Sequence, residues 1–261
     1  VYKRQELHRL LLERQIPHEW EVRSGGHDFT CWNTALPKAF RFINEYFNGK
    51  RSGNSESSLP NETPFIQTAN ATVYYPEQAQ GSTRKYPIIY VQGEINEQQQ
   101  KVLVSQFHQM VDENKTWPAV LCFVKANTDL SETISDIEKQ LSGIRGSQRM
   151  RALITLGDNI KEGIEAIQGE NLFTGIVCVN AIGNENDAQN LIKAVNSYKR
   201  YPRCWIEILP ESKEYGFSSN IHILLKESDL EHEFRSRKCK EANVFTYWED
   251  WILYLNNRIH V

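Results

Sequence analysis

From residue 64 onward, short apolar runs alternate with stretches whose apolar residues recur every three or four positions. The runs at 71–75, 86–92, 119–124, 152–156, 175–179, 203–209 and 231–237 read as strands. Between them, 97–114, 131–141, 159–168, 186–198, 218–228 and 246–259 read as helices. The later runs are continuously apolar, as in strands covered on both faces. Strand–helix alternation over some 200 residues predicts an α/β domain with a doubly wound, mostly parallel sheet. Its opening pair of strands is expected to form an antiparallel lead-in.

The first 63 residues follow a different plan. Leu7, Leu10 and Leu11 share a helical face in 6–15, and Pro17 ends that helix. HEWEVR (18–23) alternates like a strand, SGGHDF (24–29) is a loop, and 32–47 reads as an amphipathic helix through Leu36, Phe40 and Ile43. Residues 48–63 are rich in Ser, Asn and Gly and read as a linker.

An internal repeat relates the two parts. HRLLLERQIPHEWEVR (8–23) lies over HILLKESDLEHEFRSR (222–237) at a constant offset of 214 positions, His8 onto His222. Identical pairs include Leu10/Leu224, Leu11/Leu225, Glu13/Glu227, His18/His232, Glu19/Glu233 and Arg23/Arg237. Two extra loop residues then bring HDFTCW (27–32) over NVFTYW (243–248). Aligned identity across helix, strand, loop and next helix makes 6–47 a second copy of one domain's C-terminal part. VYKRQ (1–5) equals the translation of a transposon mosaic end used in sequencing libraries, GTG TAT AAG AGA CAG. These five residues are expected to be adapter, with the gene cut upstream of Glu6.

Charge narrows the partners. The net charge is −3 and the charged residues are interspersed, which argues against a nucleic-acid surface. No apolar run approaches the roughly 20 residues that span a bilayer. The five cysteines show no CxxC or Cys/His metal spacing. Cys122, Cys178 and Cys204 fall inside apolar runs and read as core residues, so no metal site is expected.

Three motifs carry a family resemblance: ATVYYP (71–76), KYPIIYVQGEIN (85–96) and GGHDFTCW (25–32). The sequence resembles the esterase branch of the α/β-hydrolase fold, with feruloyl esterases, enterochelin-type esterases, S-formylglutathione hydrolases and mycolyltransferases. KYPIIYVQGEIN is similar to that family's KYPVLYLLHG strand, and GGHDFTCW to its catalytic-histidine loop. The resemblance implies a serine on a G-x-S-x-G elbow, then an acid, then a histidine in chain order. It implies no cofactor.

Residue by residue, the second copy departs from this pattern. The elbow after 151–156 reads GDNIKEG, so Asn159 stands where the serine belongs, and Lys161 replaces the closing glycine. An amide cannot act as the acyl-accepting nucleophile. The histidine position falls on Asn243, which cannot shuttle a proton at neutral pH. The acid is either Glu211 or Glu214, and Gln92 beside Gly93 occupies the oxyanion region. His27 of the first copy keeps the place of a catalytic base, with its serine and acid expected upstream.

The expectation is a pseudo-esterase domain (64–261) behind the tail of an active one, which would hydrolyse an ester or thioester. Its expected partners are the upstream esterase domain and a small ester or carbohydrate. Two other readings stand beside it: an active hydrolase with an unconventional serine nucleophile, and a pure protein-interaction domain. Duplicated His8/His222 and His18/His232 are expected to serve packing or hydrogen bonding, Trp32/Trp248 and Trp251 to anchor the last helix or to stack on a sugar, and RGSQRMR (145–151) to be a solvated loop.

Overall fold

Each continuous apolar run becomes a strand because helices cover it on both sides. The computed structural model describes residues 20–22, 65–76, 85–140, 150–168, 173–197, 203–209, 215–237 and 244–259. It also describes the separate positions Leu7, Leu10, Leu11, Arg14, Leu36, Ala39 and Phe40. The strands are β1 (Trp20–Val22), β2 (Phe65–Gln67), β3 (Ala71–Tyr74), β4 (Ile88–Gln92), β5 (Val120–Val124), β6 (Arg151–Leu156), β7 (Gly175–Val179), β8 (Arg203–Ile208) and β9 (His232–Ser236). The helices are α1 (Glu97–Asp112), α2 (Leu130–Gln140), α3 (Ile160–Gln168), α4 (Glu185–Asn196), α5 (Tyr215–Glu227) and α6 (Trp248–Ile259).

Among the described residues the strands form one sheet in the order β1-β9-β8-β7-β6-β4-β5-β3-β2. The six strands from β9 to β5 are parallel, and every residue of β4, β5, β6 and β7 is buried. Successive residues serve opposite cores, as the period of two requires. Ile88 and Tyr90 pack with Ile134, Ile164 and Ile221 from α2, α3 and α5, while Ile89 and Val91 pack with Phe107, Trp251 and Leu255 from α1 and α6. α1 starts at a reciprocal cap, where Asn96 accepts from the Gln99 N–H and the Gln99 side chain accepts from the Asn96 N–H.

The lead-in differs from the sequence expectation. The antiparallel lead-in is β2–β3, with β3 also antiparallel to β5, and 65–67 is a strand the pattern did not predict. The run at 86–92 instead contributes β4, a central parallel strand between β5 and β6. Three residues are too few to display an alternation, whereas the PIIYV core matches a strand buried on both faces.

The last helix is fastened by a buried polar cluster. Glu207 of β8, fully buried, accepts through Oε2 from Trp205 Nε1 (2.9 Å), Trp251 Nε1 (2.9 Å) and the Arg237 guanidinium (3.3 Å). Arg237 also donates to Asp250 Oδ2 (2.9 Å) and lies 3.9 Å over the Tyr247 ring. Trp248 and Trp251 are buried, so they anchor α6 as their sequence positions suggest. Leu7, Leu36 and Phe40 are exposed.

Candidate functional site at the C-terminal strand ends

In a parallel sheet the loops after the strands gather at one edge, where doubly wound folds place their ligands. β4 ends there at Gln92–Gly93, and neighbouring β6 ends at Leu156. A short 3₁₀ turn, Gly157–Asn159, then carries the chain into α3. Gly157 takes φ +64°, a conformation that suits glycine, and the non-glycine residues with positive φ among those described do not include Asn159. The backbone tension of a nucleophile elbow is therefore absent at residue 159.

Asn159 is buried and occupied at both ends of its amide. Its Oδ1 accepts the Asn127 backbone N–H (3.1 Å), and its Nδ2 donates to the Leu156 carbonyl (2.8 Å). The loop after β5 supplies Asn127, which sits at φ +55°. Strand order puts β4 between β5 and β6, so this loop crosses the end of β4 to reach Asn159. The same loop holds Gln92, whose Nε2 donates to Thr128 O (2.9 Å) while its Oε1 has no partner among the described residues.

Gly93 lies against β6. A Cβ there would come within 2.8 Å of Leu156 Cβ, and its φ is +156°. Its N–H donates to the Val124 carbonyl (3.3 Å) and so points into the sheet. Lys161 is exposed on α3, while Gly163 takes over the close approach, since a Cβ there would lie 2.9 Å from Thr155 Cγ2. Thus the structure brings Asn159, Gln92 and Gly93 to one end of the sheet. His27, Asn243, Glu211 and Glu214 lie outside the described residues.

Beside these residues, toward β3 and β2, opens a cleft of about 620 Å³. Its walls include Phe65, Tyr74 and Phe123 together with Lys101, Lys125 and Gln100. Lys101 pairs with Glu97 (2.5 Å), and Lys125 Nζ donates to Ala69 O (2.6 Å). Burial raises the Tyr74 phenol above its ordinary pKa, so it is a neutral hydroxyl at physiological pH. Among the described residues no cluster of three or more His, Cys, Asp or Glu could hold a metal ion. The described cysteines are poor nucleophiles: burial pushes Cys178 up to about 12 and raises Cys122 and Cys204 further.

The site residues that sequence reasoning missed are Asn127 and Thr128. Their signal was the NTD turn after the VLCFV strand, which a single sequence does not connect to an elbow 32 residues later.

No protein-family model matches the sequence, and no curated protein matches it. Solved structures do match. A ferulic acid esterase superposes with a TM-score of 0.56 at 14% identity, covering 72% of this chain and 91% of that one. The ferulic acid esterase of the anaerobic fungus Anaeromyces mucronatus gives a TM-score of 0.55 at 12% identity, covering 80% of this chain and 93% of its own. The S-formylglutathione hydrolase of Staphylococcus aureus gives 0.52 at 13% identity, covering 75% and 96%. This chain has the α/β-hydrolase fold. In that fold the nucleophile elbow follows a central parallel strand and opens a helix; here the turn Gly157–Asn159 stands between β6 and α3.

Proposed function

We propose that this chain is a degenerate member of the esterase branch of the α/β-hydrolases, a fragment of a tandem protein. In this reading, 64–261 keeps the hydrolase scaffold without serine chemistry, and 6–47 is the tail of an active upstream esterase domain. There a serine would be acylated by an ester or thioester and deacylated by water activated by His27. The observation that carries the reading is Asn159. It occupies the elbow, carries no hydroxyl, and has its amide engaged at both ends by backbone groups. Gly93 adds support, because its N–H is turned to Val124 rather than to the position of an oxyanion.

The test is labelling with a serine-directed fluorophosphonate, alongside an active ferulic acid esterase. No serine of this chain should be labelled. Stoichiometric modification of one serine would overturn the reading in favour of a hydrolase with an unconventional nucleophile.

A binding role suits the retained scaffold. The cleft beside Gly93 offers aromatic faces at Phe65, Tyr74 and Phe123, and cationic donors at Lys101 and Lys125. Such a lining fits a small ester or carbohydrate. Titration with methyl ferulate and with xylo-oligosaccharides, followed by Tyr74 and Phe123 chemical shifts, should move those resonances. Unmoved resonances at millimolar ligand leave the scaffold a purely structural role.

A further inference from the structure

The strand added to the end of the sheet comes from the other copy of the repeat. At the offset of 214, HEWEVR (18–23) corresponds to HEFRSR (232–237), so Trp20, Glu21 and Val22 correspond to Phe234, Arg235 and Ser236. The structure pairs β1 antiparallel to β9, with Trp20 opposite Ser236, Glu21 opposite Arg235 and Val22 opposite Phe234. Trp20 therefore faces the counterpart of Val22, Val22 faces the counterpart of Trp20, and Glu21 faces its own counterpart. This is the register of a two-fold axis passing between Glu21 and Arg235. A slip of one residue would remove the axis, and a slip of two would move it to the next equivalent pair.

Like strands that pair about a two-fold form an isologous contact, the kind that joins two copies of one domain. β9 is the last parallel strand, and its outer edge would otherwise present unpaired N–H and C=O groups. We propose that the β9 edge is an interface for a second copy of this domain. Two domains then share one continuous sheet about a pseudo-two-fold axis, with β1 the first copy's equivalent of β9. The proposal rests on the tandem reading above and adds the geometry of the pair.

Charge at the axis selects which copies meet. The observed register sets a glutamate opposite an arginine. In the same register, β9 paired with another chain's β9 would set Arg235 opposite Arg235. β1 paired with β1 would set Glu21 opposite Glu21. Like charges directly opposite destabilise a strand pair. Arg235 is fixed at the axis, buried, with its guanidinium 4.4 Å over Trp205 and bonded to Glu233 (2.5 Å). The contact thus favours first copy with second copy over self-pairing of either.

Disulfide trapping in the full chain reads the register. Directly opposed residues in an antiparallel pair have Cα atoms about 4.5–5.5 Å apart, within disulfide reach. On mild oxidation, Trp20→Cys/Ser236→Cys should cross-link at least about tenfold more than Val22→Cys/Ser236→Cys, as mapped by peptide mass spectrometry. An intrachain bond upholds the interface within one molecule, and an interchain bond upholds it between two. Adding Glu21→Arg should slow cross-linking about two- to fivefold, the effect of a like-charge pair. No bond between residues 20 and 236, or preference for 22 with 236, overturns the proposal. The two readings fail separately: a missing bond leaves the reading of Asn159 intact, and a fluorophosphonate-labelled serine leaves the edge contact intact.

Discussion

Asn159, which stands at the proposed elbow, is tied to backbone at both ends of its amide. The amide satisfies one backbone donor and one acceptor that a serine hydroxyl could not span together. Asn159→Ala should remove both bonds, the one to the Leu156 carbonyl buried, and lower unfolding free energy by about 1–3 kcal/mol, read by urea denaturation. Asn159→Ser should produce no esterase activity on p-nitrophenyl acetate, because Asn243 supplies no base; turnover that depends on the new serine would place a base elsewhere in the site. Gly93 is constrained from the opposite side. Gly93→Ala presses a methyl against Leu156 at a φ that side chains avoid, and should cost about 1–3 kcal/mol in the same assay.

Between elements, the polar contacts join α5 and α6 to the last two parallel strands. His222 of α5 and His232 of β9 meet at 2.8 Å between Nδ1 and Nε2, and His232 Nδ1 donates to the Leu230 carbonyl at 2.7 Å. The bond to Leu230 makes His232 Nε2 the acceptor, so His222 Nδ1 donates to it. Of the packing or hydrogen-bonding roles expected at these duplicated positions, His222 and His232 take the second, a bond between helix and strand. Burial, with Lys226 nearby, holds the His232 pKa below its ordinary value of 6.5. The unfolded chain therefore binds the proton more readily, and stability rises with pH across this window. It should be complete above about pH 6.5 and decline as pH falls below it. His232→Gln should flatten the dependence of the urea midpoint on pH between about 7.5 and 5.5; an unchanged slope would assign the titration to another group. Glu207 carries more. Glu207→Ala leaves Arg237 and two indole N–H groups without their shared acceptor, and should cost about 3–5 kcal/mol.

Across the whole molecule, the sequence was most readable where both faces of a strand are buried. Runs such as VLCFV and GIVCV leave no choice of period, and the strands they predicted match β5 and β7 within a residue. The turn into α3 was readable for a different reason, because it follows directly on the strand before it. β2 was not, since three residues carry no pattern, and neither was the loop of Asn127 and Thr128, whose partners Asn159 and Gln92 are distant in sequence. The pairing of β1 with β9 joins residues more than 200 positions apart, and only the repeat hinted that the two strands are equivalents. These differences predict a gradient of opening. Amides of Tyr90, Ile154 and Val177, in central strands buried on both faces, should exchange with solvent deuterium only through global unfolding. Those of 65–67 in β2, an edge strand with an exposed or half-buried surface, should exchange by local opening, faster by at least about a thousandfold. Equal protection of β2 and the central strands would mean that the edge opens only with the whole sheet, and that the antiparallel lead-in is as integral to the fold as the parallel core.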